Sequence, residues 1–153
     1  MRKLIVMMMI AASLDASAGE VMESSHVLPD GTRVLRHEVL VAAPPEEVWK
    51  AWSTSEGPQP LGDPLVRYEI LSFLPNEMLS FRIVSTSPNF PQPELARKVF
   101  TVIELVRIND PSTTRVRISM LPYGTGAEWD AVYDLFRREN AVMLKKLEEK
   151  FAK

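Results

Sequence analysis

The side chains able to carry acid–base or metal chemistry are few and scattered along the chain. There are two histidines, His26 and His37, and no cysteine. Neither histidine has the neighbouring His, Asp or Glu spacing that marks a metal site. Gly124 and Gly126 lack the Lys-Ser/Thr ending of a phosphate-binding loop, and no nucleophile elbow occurs. The sequence therefore predicts no catalytic residue, no metal ligand and no cofactor.

An apolar stripe near the C-terminus is the strongest candidate for a functional surface. Residues 126–153 read as one long amphipathic helix. Asn140 falls in the centre of the stripe, four residues after Phe136 and three before Met143. Because a buried amide without a partner costs about 1–3 kcal/mol, Asn140 must meet backbone, water or a polar group of a ligand. The apolar members of the stripe are Trp129, Val132, Tyr133, Phe136, Met143, Leu144, Leu147 and Phe151.

The elements before this helix must supply the apolar partner that it needs. Residues 33–42 read as a strand, residues 43–53 as a short helix, and residues 53–64 are too rich in Pro and Gly for a regular element. Residues 19–31 form a loose leader or a strand too short to assign, and residues 87–93 an exposed loop. Further strands are predicted at residues 65–73, 78–85, 98–108 and 113–121. Alternating polarity and short links indicate an antiparallel sheet with one face covered by a helix, an α+β fold.

The N-terminus has the layout of a secretory signal peptide. Arg2 and Lys3 precede an apolar run of eleven residues, 4–14, and Ala16-Ser17-Ala18 offers a cleavage site. The run is shorter than the roughly 20 residues that span a bilayer. We expect residues 1–18 to be removed and residues 19–153 to form one domain in the periplasm or outside the cell, with no stable membrane anchor.

Charge argues against nucleic acid as a partner. Removal of residues 1–18 takes Arg2, Lys3 and Asp15 from totals of 18 Lys+Arg and 20 Asp+Glu, which leaves 16 and 19 and a net charge of −3. This balance gives no electrostatic basis for binding nucleic acid or an anionic membrane.

Three stretches together resemble one family, the START-like or SRPBCC superfamily. They are VAAPPEEVWKAWSTSEG at residues 41–57, YEILSFLPNEMLSF at residues 68–81 and GTGAEWDAVYDLF at residues 124–136. The similarity is greatest to the branch named after the activator of the heat-shock-protein-ninety ATPase. The resemblance implies a helix-grip fold, in which a curved antiparallel sheet curls around the C-terminal helix and leaves a cavity. It also implies that one short helix and two strands of the family are missing after Gly57.

The resemblance and the stripe lead to three functional hypotheses. The first is a non-enzymatic binder of a small hydrophobic or amphipathic molecule, in a pocket of at least about 300 Å³. Its contact residues would be Trp129, Tyr133, Phe136, Asn140 and Met143, with Trp52 and Phe81 opposite. The second is an interaction module, in which the open side of the shortened grip pairs with a second copy or another protein. The third is a hydrolase or cyclase using Tyr133 or an acidic residue.

Overall fold

The computed structural model describes residues 19–54, 57–58 and 66–152. The predicted signal peptide and most of the connection after Gly57 lie outside the described residues. In chain order the elements are β1 (Met22–Glu23), β2 (His26–Val27), β3 (Arg33–Val41), α1 (Pro45–Lys50), β4 (Ser53–Thr54), β5 (Gly57–Pro58), β6 (Arg67–Leu74), β7 (Met78–Ser85), α2 (Pro93–Ala96), β8 (Phe100–Arg107), β9 (Thr114–Tyr123) and α3 (Ala127–Phe151).

Seven of these strands form one curved antiparallel sheet. Its order is β1-β3-β9-β8-β7-β6, and β2 pairs with β3 beside β1. Alternation along the strands sends one set of side chains toward α3, as the sequence predicts. In β3 and β9 this set includes Val39 and its cross-strand partner Val116, both buried. The predicted helix-grip architecture, a sheet packed on a C-terminal helix, is confirmed.

The long helix covers one side of the sheet more closely than the other. The strands nearest to α3 are β3 and β9. Val132, Leu144 and Leu147 of α3 are buried in this contact. Toward β8, β7 and β6 the sheet curves away from the helix, and a cavity opens between them.

Three local predictions need correction. Residues 53–58 are not wholly irregular, because β4 and β5 pair as two-residue strands. Strand β9 continues through Pro122 to Tyr123, beyond the predicted end at residue 121. Pro122 is tolerated there because the β3–β9 register is already broken between Arg33 and Leu35, so a missing donor is accommodated. The loop at residues 87–93 is not simply exposed, since Phe90 packs on the core.

The N-terminal leader proves to contain short strands, β1 and β2, and Val21 beside them packs on the core. In the part of the chain that the structure describes, no helix combines the length and apolar character needed to cross a bilayer.

Candidate ligand cavity

A cavity of about 800 Å³ lies between α3 and the β6–β8 side of the sheet. Its floor is formed by side chains from four neighbouring strands, and its roof by the middle and C-terminal turns of α3. The loop at residues 87–91 adds part of the rim. The lining side chains include Tyr68, Phe81, Ile83, Phe90, Thr101, Met120, Phe136, Glu139, Asn140, Met143, Lys146, Leu147 and Lys150.

The walls of the cavity are mainly apolar and aromatic. Tyr68 and Phe81 meet edge to face, with their ring centroids 5.1 Å apart. Across the mouth, the rings of Phe90 and Phe136 lie 5.9 Å apart. The position of Phe81 follows from strand register, since it lies between Ile70 and Thr101 in the sheet. The cavity therefore presents contact surface suited to an apolar molecule.

One amide is buried in the cavity wall. Asn140 is 5% exposed, and its Nδ2 group donates to the Met120 sulfur at 3.2 Å. A thioether is a weak acceptor. Within the described part of the chain, the Asn140 side-chain oxygen accepts no hydrogen bond, and it is not one of the fully buried polar atoms without a partner. The Asn140 N–H group thus donates to a sulfur and to no oxygen among the described residues. The Asn140 oxygen can accept a hydrogen bond from a ligand in the cavity.

The rim of the cavity carries charge along one line of α3. Glu139, Met143, Lys146 and Lys150 succeed each other at helical spacing and all line the cavity. Among the described residues, neither Lys146 nor Lys150 forms an ion pair, whereas the neighbouring Lys145 is held by Glu148 at 2.9 Å. The two lysines lie toward the C-terminal end, and Glu139 toward the middle of the helix.

The predicted site residues divide into two groups. Phe81, Phe136, Asn140 and Met143 all line the cavity. Trp52, Trp129 and Tyr133 are not among the described residues that line it. Trp52 is 1% exposed in the core, and its indole N–H has no partner among the described residues. That all seven contact a ligand stays untested, and three of them lie away from the cavity.

Trp129 and Tyr133 belong instead to a cluster that holds the start of α3. Their rings pack on Tyr123, at centroid distances of 6.1 and 5.1 Å. Arg33 lies 4.7 Å from the centre of the Tyr133 ring and donates to the Gly124 carbonyl oxygen at 2.7 Å. These contacts indicate that residues 124–130, which carry part of the family resemblance, position the start of α3.

Gly124 is required in this cluster because the Trp129 ring leaves no room for a side chain at this position. A Cβ atom there would lie 2.4 Å from Nε1 of Trp129. Asp130 completes the arrangement by pairing with Arg33 at 2.8 Å. Burial raises the pKa of Tyr123, with the nearby Tyr133 adding to the effect and Arg33 opposing it. Tyr123 is thus a neutral core residue whose hydroxyl contacts the Met120 sulfur at 3.7 Å.

A second polar cluster fastens β1 to the middle of α3. Glu23 accepts a hydrogen bond from Arg137 at 2.8 Å, and its carboxylate lies 3.9 Å from Nε2 of His37. Burial lowers the pKa of His37, while Glu23 acts to raise it and Arg137 to lower it. His37 is 3% exposed, and its Nδ1 atom has no partner among the described residues. Burial therefore favours the neutral form of His37.

The cavity does not assemble recognisable acid–base or metal chemistry from the residues that the structure describes. Glu139, Lys146 and Lys150 form no hydrogen bond with one another there. No group of three or more His, Asp or Glu side chains in the described ranges could hold a metal ion. The hydrolase or cyclase hypothesis gains no support from this geometry.

Several lining residues escape prediction from the sequence. The helical stripe does not include Lys146 and Lys150, although their four-residue spacing beside it is a usable signal. Phe90 lies in a proline-rich segment without periodicity, so no pattern predicts that it covers the cavity. Thr101 faces inward in β8, and its burial follows only from the strand register.

The fold is shared with solved proteins, one of which is described as an Aha1 dimer. The chain is similar to the Aha1 dimer from Colwellia psychrerythraea, with a TM-score of 0.58 and 15% identity over 77% of this chain and 95% of that one. For protein MLL2253 from Mesorhizobium loti the TM-score is 0.59, with 18% identity over 76% and 95%. XoxI from Bacillus cereus gives 0.59, with 18% identity over 77% and 94%.

Sequence comparison alone finds nothing to set beside these structures: no protein-family model and no curated protein matches the chain. At identities of 15–18% the structural likeness concerns the fold. It confirms the fold that the resemblance at residues 41–57, 68–81 and 124–136 implies.

Proposed function

We propose that this protein binds a small hydrophobic or amphipathic molecule between α3 and strands β6–β8, without chemically transforming it. The observation that carries the proposal is the cavity itself. Its volume of about 800 Å³ lies within the range of small-molecule sites, and its walls are mainly apolar and include the amide of Asn140. Solved Aha1-like proteins share the fold that produces this space.

The residues of the cavity have distinct roles in this proposal. Phe81, Phe136 and Met143 supply apolar contact from both sides. Asn140 supplies a polar anchor, because its side chain lines the cavity and its oxygen accepts no hydrogen bond from the described residues. A ligand hydroxyl or amide placed there would satisfy it and gain about 0.5–1.5 kcal/mol.

Two aromatic residues one helical turn apart provide the matched test. Phe136 lines the cavity, whereas Tyr133 packs on Tyr123 outside it. Both are half-buried. We expect Phe136→Ala to weaken binding of an apolar fluorescent probe by about tenfold, the loss of part of a buried aromatic contact. Tyr133→Ala should lower thermal stability but leave the probe affinity within about twofold. Equal affinity losses in both variants, or no probe binding by the wild type, would contradict the proposal.

We further propose that the protein is exported and works without residues 1–18. The support is the sequence layout of Arg2, Lys3, the apolar run and Ala16-Ser17-Ala18. Full-length chain expressed in a bacterial host should appear in the periplasmic fraction with the intact mass of residues 19–153. The matched variant Ala18→Arg should keep the leader. Unprocessed wild-type protein confined to the cytoplasm would refute export.

A second candidate function is self-association through β6. Among the described residues, β6 pairs on one side only, with β7, and it exposes Leu71, Phe73 and Leu74 by 43, 48 and 53%. An apolar strand edge is a template for pairing with another chain. The solved Colwellia psychrerythraea protein is described as a dimer. Sedimentation should show a wild-type dimer that Phe73→Lys dissociates and Val84→Lys, on β7, does not; a monomeric wild type would dismiss the candidate.

A further inference from the structure

Two lysines on the cavity rim point to the charge of the ligand. Lys146 and Lys150 lie one turn apart, both line the cavity, and neither has an ion-pair partner in the described ranges. We infer that the ligand is a single-chain anionic amphiphile, with a carboxylate or phosphate head group at these lysines and an apolar chain against Phe81 and Phe136. This inference rests on the proposed function and specifies its ligand class.

The apolar chain and the head group are placed by different parts of the same cavity. Phe81, Phe136, Met143 and Leu147 form the deeper wall, and they offer no charged atom to a head group. Lys146 and Lys150 are exposed at the rim, where an anionic head would keep part of its hydration. This arrangement avoids the large penalty of burying a charge, while the chain is removed from water.

The charges of α3 that line the cavity decide the direction of the ligand. Glu139 lies seven residues before Lys146, roughly 10 Å along the helix axis, and repels an anion at that end. The C-terminal carbonyl groups of the helix carry a partial negative charge of about half a unit. Two full positive charges at Lys146 and Lys150 outweigh it. The head group is therefore directed to the C-terminal end of the cavity and the chain toward Phe81 and Phe136.

The test compares three ligands with the same twelve-carbon chain, dodecanoate, dodecyl phosphate and dodecanol, the two anions below the concentration at which they form micelles and dodecanol below its solubility limit. Calorimetry on residues 19–153 should give about fivefold tighter binding for an anion than for dodecanol, since each of two exposed ion pairs contributes roughly twofold to threefold. Comparing dodecanoate with dodecyl phosphate identifies which head group the site prefers. Shortening the chain should weaken binding by about fourfold for each methylene removed.

Charge-matched double variants separate the rim from general electrostatics. Lys146→Gln/Lys150→Gln should bring the affinity for the anions down to that for dodecanol, and leave dodecanol within about twofold. Arg138→Gln/Lys145→Gln removes the same charge from positions that do not line the cavity, and should retain the preference for anions.

The possible outcomes distinguish the ligand class from the binding function. Equal binding of dodecanol and both anions by the wild type would overturn the anionic ligand class and leave the binding function intact. Absence of binding for all three chains would overturn both proposals. Loss of the anion preference in both double variants would show that net charge, and not the rim lysines, selects the ligand.

Discussion

The two parts of α3, residues 127–134 and residues 135–151, differ in how closely the rest of the molecule holds them, and we call them its N-terminal and C-terminal halves. The N-terminal half is packed and pinned: Trp129 and Tyr133 lie on Tyr123, and Arg33 joins the helix start to Gly124. The C-terminal half shares its inward face between the core and a cavity of about 800 Å³. One helix thus combines an anchor with the roof of a binding site.

The comparison shows that a recognisable motif need not mark the functional site. The stretch at residues 124–136 is the most distinctive part of the sequence, and most of its conspicuous residues serve to position the helix. The cavity is lined by ordinary positions, among them Asn140, Met143 and Lys146. If this division holds, substitutions in the first half change stability, and substitutions in the second half change ligand binding.

The largest expected effect is on the anchor, from Gly124→Ala. The new Cβ atom would lie 2.4 Å from Nε1 of Trp129, so the indole or the backbone must move. Overpacking of this kind costs about 1–3 kcal/mol, and we expect a value near the upper end. Urea unfolding gives the measurement, and Thr125→Ala at the neighbouring exposed position is the control. A midpoint equal to that of the wild type would show that Trp129 is not held there.

A somewhat smaller loss is expected from Arg33→Met. This removes hydrogen bonds to the Gly124 carbonyl and an ion pair with Asp130, on a side chain that is 21% exposed. We expect about 2 kcal/mol of destabilisation. Arg107→Met breaks an exposed pair with Glu46 and should change stability by less than about 1 kcal/mol. Equal effects of the two substitutions would refute the anchoring role of Arg33.

In the cavity half, Asn140→Leu should separate stability from binding. The amide is buried with only a sulfur acceptor among the described residues, so an apolar replacement of similar size should change stability by less than about 1.5 kcal/mol in either direction. Affinity for a ligand with a polar group near Asn140 should fall by about fivefold, the equivalent of one hydrogen bond. A large loss of stability with unchanged affinity would make Asn140 a purely structural residue.

The smallest effect is a pH dependence at the junction of the two halves. Burial lowers the pKa of His37 below its ordinary value of 6.5, so the unfolded chain takes up a proton at a higher pH than the folded protein does. Stability contributed by neutral His37 is complete above pH 6.5 and falls as the pH drops through that value toward the lower folded pKa.

Urea unfolding at a series of pH values between about 7.5 and 5.5 would measure this decline. His37→Gln cannot be protonated in that range and should flatten the curve. Glu23 does not contribute to the decline over this pH range, because its carboxyl group titrates at lower pH. Its burial raises the pKa, but hydrogen bonds from Arg137 and Ser25 and the nearby positive charges bring it below 4.5. An equal slope in the His37→Gln variant would assign the dependence to another group.

The fold was largely predictable because its signals are local. Helical spacing from Trp129 to Phe151 predicts α3, and alternation at Val116, Ile118 and Met120 predicts β9. The predictions that failed concern contacts between residues distant in the sequence, or strands too short to leave a pattern. The pairing of β4 with β5 and the packing of Phe90 on Phe136 have no periodic signature.

The site was predictable only in part, for a geometric reason. A helical stripe predicts which residues face inward, but it does not predict whether a sheet or a cavity lies opposite them. Trp129 and Phe136 are alike in the sequence, yet the first packs on Tyr123 and the second lines the cavity. The difference arises from the curvature of the sheet, which brings β3 and β9 close to α3 and leaves a gap toward β6.

Ligand binding along the C-terminal half of α3, and not at its anchor, can be observed by an NMR titration. Protein labelled at the methionine methyl groups and the tryptophan indoles would receive dodecanoate in steps. We expect the Met143 methyl signal to shift progressively and saturate, while the Trp129 indole N–H signal does not shift. A shift at Trp129 with Met143 unchanged, or no saturating shift at either, would contradict this expectation.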